Sequence, residues 1–161
     1  MSDKKEELLS LIRQITSQEV IEIPNSTPFG VIIKNEALLS VCEQIYKNPA
    51  AYFDMLSCIT GVDNGPEEGT MEVIYHLYSI PYNLSLALKV ILLRENPEVV
   101  SVVSVWKSAN WLEREVYDMF GIVFKNHPDL RRILMPADWK GFPLRKDYKH
   151  EEYYRGVKIE Y

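Results

Sequence analysis

Between Asn110 and Tyr148 a short, charge-dense helical pattern runs directly into a long stretch of Pro, Arg and aromatic residues without a period, ANWLEREVYDMFGIVFKNHPDLRRILMPADWKGFPLRKDY. So many large side chains with so little periodicity cannot bury themselves against one another. The segment must therefore lie along a surface, its own or a partner's. Pro128, Pro136 and Pro143 exclude a long helix or a central strand here, because each lacks an amide donor and fixes its own φ. Residues 125–161 are expected to form an extended arm on a body made of residues 1–124.

Charge follows the same division. The body carries 9 basic and 17 acidic side chains, whereas the arm carries 9 basic and 6 acidic. A basic tail on an acidic body can meet nucleic acid, acidic lipid or an acidic protein surface. Asp129, Asp138, Asp147, Glu151, Glu152 and Glu160 interrupt every positive run, which speaks against a polyanion groove and for a protein surface. The apolar content, 47%, suffices for one core in 161 residues. No run approaches the length that spans a bilayer, and the charged start, Ser2 to Glu7, has no signal-peptide pattern. The expectation is a cytoplasmic or peripheral protein.

Within the body, Leu8, Leu9, Leu11, Ile12 and Ile15 predict an amphipathic helix over 4–16. Phe29 to Lys34 reads as a strand that ends at Asn35, a candidate N-cap. The helix after it stops at Asn48-Pro49. Tyr52 to Thr60 is extended, Gly61 to Gly69 reads as an exposed loop, and residues 70–79 and 84–93 form a hairpin across Pro81-Tyr82-Asn83. Val99 to Trp106 adds a strand. The predicted fold is α+β, a mixed or antiparallel sheet of four to five strands with helices packed on one face. Cys42 and Cys58 are expected to be small buried residues of a reduced compartment.

The helix over 110–120 has Asn110 as N-cap, Glu113 in capping-box position and Gly121 as left-handed terminator. Leu112, Val116, Met119 and Phe120 cluster on one arc, with Trp111, Arg114, Glu115 and Asp118 opposite. Arg114 and Asp118 are spaced for an i,i+4 ion pair. Glu115 and Asp118 also permit an acid/base reading as a carboxylate pair. In the arm, Arg131-Arg132 and Arg145-Lys146-Asp147 read as interface anchors, with phosphate binding as the alternative. Trp139, Phe142, Tyr148, Tyr153, Tyr154 and Tyr161 supply apolar area that calls for a partner surface. His127 reads as a loop residue bonded to backbone. His76, His127 and His150 are scattered, and neither CxxC, HExxH nor Gly-x-Gly-x-x-Gly occurs, so neither a metal or cluster site nor a nucleotide fold has support.

One longer pattern remains. Glu113-Arg114-Glu115, Asp118 to Ile122, His127 to Leu134 and Pro143 to Tyr148 resemble the motif of the C-subunit family of bacterial NADH:quinone oxidoreductase, the thirty-kilodalton-type subunit of respiratory complex I. Phe142 stands where many relatives have His, and Lys149 where Pro is common. The resemblance implies a non-catalytic subunit of the peripheral arm, on the cytoplasmic side of the inner membrane and touching the membrane only through the complex. It implies no cofactor in this chain, with FMN, iron-sulfur clusters and quinone in neighbouring subunits. The D subunit, which helps form the quinone pocket, is the implied partner of the arm, and nucleic acid is not expected. The alternative is the equivalent subunit of a related membrane-bound hydrogenase or ferredoxin-dependent quinone reductase.

Overall fold

A computed structural model describes residues 2–16 and 19–159; Glu160 and Tyr161, counted with the arm above, lie outside the described residues. Helix α1 (Ser2–Thr16) leads to β1 (Ile21–Ile23) and β2 (Phe29–Ile33), and a 3₁₀ turn (Asn35–Ala37) opens into α2 (Leu38–Lys47). The long strands β3 (Met55–Gly65), β4 (Thr70–Ser79) and β5 (Leu84–Leu93) follow. After them come β6 (Glu98–Val100), α3 (Ala109–Phe120), β7 (Val123–Lys125) and a terminal hairpin of β8 (Tyr153–Tyr154) and β9 (Val157–Lys158).

The main sheet has the order β1-β2-β5-β4-β3 and is mixed. From β2 the chain crosses through α2 to the far edge, then returns strand by strand until β5 lies parallel to β2. Strict alternation in β4 divides the two faces. Met71, Val73, Tyr75 and Leu77 are buried in register with Ile59 and Gly61 on one side and Leu88 and Val90 on the other. Against this face α2 buries Leu38, Val41, Cys42 and Ile45, and α3 lies on β3. Gly61 makes that approach possible, because a Cβ there would stand 2.7 Å from Phe120 Cδ2. The α+β expectation, with helices on one face, is met.

The opposite face stays open and carries Thr60, His76 and Ile91, with a Glu72–Lys89 ion pair of 2.7 Å. Cys58 belongs to it: paired with His76, it is exposed, not buried as expected, whereas Cys42 is buried. A register shift between Leu56 and Cys58 sets which way it faces.

Other expectations change for local reasons. The loop predicted over Gly61–Gly69 is mostly strand, since β3 continues to Gly65 and only the turn to Thr70 is irregular. Valine richness overstates the strand at 99–106: β6 ends at Val100, the chain turns over Val103–Val105, and buried Trp106 donates Nε1–H to Phe53 O at 3.1 Å. Asn35 does not cap α2; its amide donates to Glu98 O at 2.8 Å. Strands β1 and β7 are additions, and β7 runs parallel to β6 across the expected boundary at 124.

Candidate functional site: the clasp between helix and arm

Helix α3 is covered on both sides. Its sheet-facing side buries Val116, as the spacing predicted, while Arg114 and Asp118 on the other side are buried beneath the arm. Glu115 is exposed. Gly121 terminates the helix at φ 73°, in the left-handed region as expected.

The capping-box reading fails. The residue before the helix is Ser108, which makes no side-chain cap bond, and Asn110 lies inside the first turn. Glu113 is fully buried and accepts Ser101 Oγ–H at 2.7 Å and Val102 N–H at 2.7 Å, tying α3 to the turn after β6. Burial pushes its carboxyl up to about 7, against the opposing pull of these two donors. Burial first, and then the Glu113 charge, raise the Cys42 thiol and the Tyr75 phenol. His127 sits beside Glu113, with Nε2 at 3.9 Å from the carboxylate. Its Nδ1 accepts Asp129 N–H at 3.0 Å, so Nε2 carries the hydrogen and donates to Asn110 O at 3.1 Å. The loop histidine is thus bonded to backbone on both sides.

Asp118 does not pair with Arg114. Its Oδ1 takes Arg132 Nη1–H at 2.8 Å, and its Oδ2 takes three successive amides, Ile133 at 3.0 Å, Leu134 at 2.7 Å and Met135 at 2.9 Å. Burial alone would raise this carboxyl, but the three amides and Arg132 outweigh it and hold it below the ordinary value. Both Asp118 oxygens thus accept donors from the arm, while Glu115, the other member of the carboxylate pair, is exposed. Arg132 also donates to Gly141 O at 2.7 Å. Arg114 instead gives Nε–H to Arg131 O at 3.2 Å and stacks on Trp111 at 4.9 Å.

The arm then crosses the carboxyl end of α3. Leu144 N–H donates to Met119 O at 3.0 Å and Arg145 Nε–H to Phe120 O at 2.6 Å, so the arm satisfies helix carbonyls that would otherwise lack partners. The Arg145 guanidinium lies 4.9 Å from the Phe142 ring. Beyond it, Lys146 N–H donates to Asp63 Oδ2 at 2.8 Å, and Lys146 Nζ reaches Asn64 O at 3.1 Å. Asp63 is buried and also forms a two-pronged pair with Arg94, at 2.8 and 3.0 Å, while Arg94 bonds Asp147 as well. The Arg94 bonds, more than any other contact, hold the Asp63 carboxyl well below the ordinary range. Trp139 donates Nε1–H to Tyr148 Oη at 2.9 Å and packs on Tyr154, whose hydroxyl donates to Asp138.

Arg132, Arg145, Lys146 and Asp147, expected as anchors for a partner, are therefore bonded to the chain's own body, although Lys146 and Asp147 remain exposed, and Arg131 is exposed beside Asp129. The two residues that sequence reasoning missed are Asp63, hidden in the supposed loop, and Arg94, at the end of β5. The detectable signal for Asp63 was its place in the β3 alternation. Among the described residues no group of three or more His, Cys, Asp or Glu is gathered as a metal ion needs, and no helix is long and apolar enough to cross a membrane.

Asp118 and Arg132, which join α3 to the arm, fall within residues 31–154, and that span matches the family model described as respiratory-chain NADH dehydrogenase, 30 Kd subunit. This chain belongs to that family. Among the 30 kDa family relatives, the NADH-quinone oxidoreductase C subunit of Chloroherpeton thalassium is 38% identical over 94% of this chain and 63% of its own length. The C subunit of Chlorobium phaeobacteroides is 42% identical over 83% of this chain and 81% of its own, and that of Geobacter metallireducens 47% identical over 73% and 72%. The chain thus spans less than two thirds of the Chloroherpeton protein. A solved trypsin-resistant fragment of Nqo5 matches with a TM-score of 0.64 and 31% identity, over 79% of this chain and 99% of the fragment. An archaeal membrane-bound sulfane sulfur reductase complex includes a chain of the same fold, with a TM-score of 0.74 and 20% identity over 91% of this chain and 86% of that one.

Proposed function

We propose that this chain is a structural subunit of the peripheral arm of an NADH:quinone oxidoreductase, and that FMN, iron-sulfur clusters and quinone are held by its neighbours. Family membership supports the assembly, and the clasp is the single observation that carries the structural role. Asp118 and Asp63 hold residues 131–147 rigidly against the body while Leu134 and Leu144 remain exposed on the arm. A preorganised apolar ridge of this kind favours tight docking, because little ordering entropy remains to be lost on association.

In this reading Glu113, Asp118, Arg132, Arg145, Lys146 and Asp147 act by shaping the ridge, and the D subunit supplies the surface that receives it. Trp139 and Tyr148 stiffen its distal part. In the same reading the chain lies on the cytoplasmic side of the inner membrane and meets the membrane only through the complex. Affinity purification of the tagged chain from membranes, with mass spectrometry of its companions, tests this directly. Recovery with the D subunit and NADH-dependent quinone reduction is expected, together with no NADH oxidation by the chain alone. Recovery of the chain free of companions, or with a hydrogenase, would sink the proposal.

A further inference from the structure

We infer that the hollow between α3 and residues 130–137 receives an acidic segment of a neighbouring subunit, one that presents a carboxylate to Arg114 and an apolar side chain to Trp111. This deepens the proposed function and rests on it. Trp111, Arg114, Tyr117, Leu130, Arg131 and Ile133 line the hollow. Trp111 is 64% exposed, so it contributes little to the chain's own core, yet it is stacked on the Arg114 guanidinium at 4.9 Å. Arg114 is only 7% exposed, and its Nε–H to Arg131 O is a bond to a neutral acceptor. Among the described residues it pairs with no carboxylate.

Of the acids close by, Asp118 and Asp129 are already engaged, while Glu115 is exposed on the same helix face. Asp118 is saturated by Arg132 and three amides, and Asp129 pairs with Arg131 at 2.9 Å. Arg114, Arg131 and Arg132 are the charged side chains among those that line the hollow, and of the three Arg114 alone has no carboxylate partner, on a chain of net charge −5. A poorly hydrated guanidinium fixed by stacking, with its fork unmatched, is complementary to a carboxylate. Trp and Arg are also among the residue types enriched where protein interfaces carry most of their binding energy. The floor of Leu130 and Ile133 suits an aliphatic or aromatic neighbour of that carboxylate.

The test is made in the assembled complex. A photo-crosslinking benzoylphenylalanine replaces Trp111 in the tagged full chain, and adducts are mapped after purification from membranes. The expected adduct lies on a neighbouring subunit, next to an Asp or Glu flanked by an apolar residue. Arg114→Glu should then lower recovery of the complex at least about ten-fold, and changing the cross-linked acid to Arg should restore it. Because Arg114 also supports Arg131, Trp111→Ala provides the second variant, with recovery reduced about thirty-fold and melting of the full chain unchanged. An adduct on lipid, on nucleic acid or on a basic segment overturns the inference, as does normal recovery with Trp111→Ala or absence of charge-exchange rescue. A complex that forms with the crosslinks elsewhere defeats this inference alone, whereas failure of the unmodified chain to recover any complex defeats the functional reading beneath it too.

Discussion

Arg132 Nη1 stands 2.8 Å from Asp118 Oδ1, and this buried pair joins α3 to a segment of chain that has no regular structure of its own. The other carboxylate oxygen collects three consecutive amide donors. An aperiodic segment must find partners for its backbone groups outside itself, and one anionic side chain here takes the place that a neighbouring strand would have in a sheet.

Asp118→Asn should therefore destabilise the chain by about 3 to 5 kcal/mol, the usual cost of breaking a buried ion pair by removing one partner. Urea unfolding measures the loss. Trypsin should then cut at Arg131, Arg132 and Arg145 faster than in the parent protein, and an unchanged digestion pattern would show that the arm is held by other contacts.

Glu113 makes stability depend on pH in the opposite sense from Asp118. Its carboxyl is raised from the ordinary 4.5 to about 7, so its contribution is complete below 4.5 and is lost as pH climbs through 7. Glu113→Gln should remove this dependence. The stability difference between variant and parent should move by about 2 to 3 kcal/mol in favour of the variant from pH 5 to pH 8. Parallel profiles for the two proteins would exclude a titrating Glu113.

Asp63 governs the acid side. Its carboxyl is depressed below the ordinary 3.8, so its contribution is present above that pH and fades as pH falls further. Asp63→Asn leaves Arg94 with only the more exposed Asp147, and a loss of about 2 to 4 kcal/mol at pH 7 is expected. Denaturation at successively lower pH should show the gap to the parent narrowing below about 4.

Gly61→Ala tests the approach of α3 to the sheet. The added methyl would stand 2.7 Å from the Phe120 ring and 3.0 Å from Val116 Cγ1, so overpacking should cost about 1 to 3 kcal/mol. Phe120→Leu in the same chain should recover part of the loss in thermal melting.

Local pattern made several elements legible. The 3.6-residue period located α1, α2 and α3, the left-handed preference of glycine located the end of α3 at Gly121, two-residue alternation located β4, and the turn at Pro81-Tyr82-Asn83 located β5. The same local logic failed where composition imitated a different element. Glycine and acidic residues made the second half of β3 look like a loop, while valine made the turn after β6 look like a strand. At the site, the residue types were readable but their partners were not: Asp118 was matched with Arg114 four residues away and in fact holds Arg132.

What the sequence settled by itself is the three helices, the strands β2, β4 and β5, the α+β class and, through the run from Glu113 to Tyr148, the family. Tertiary structure alone decided that β2 lies parallel to β5, that Glu113 is a buried brace, and that the arm folds back on its own body. The physical reason is separation along the chain. Lys146 reaches Asp63 across 83 positions and Arg94 reaches Asp63 across 31, and contacts so distant leave no period, cap or turn pattern in the residues that make them.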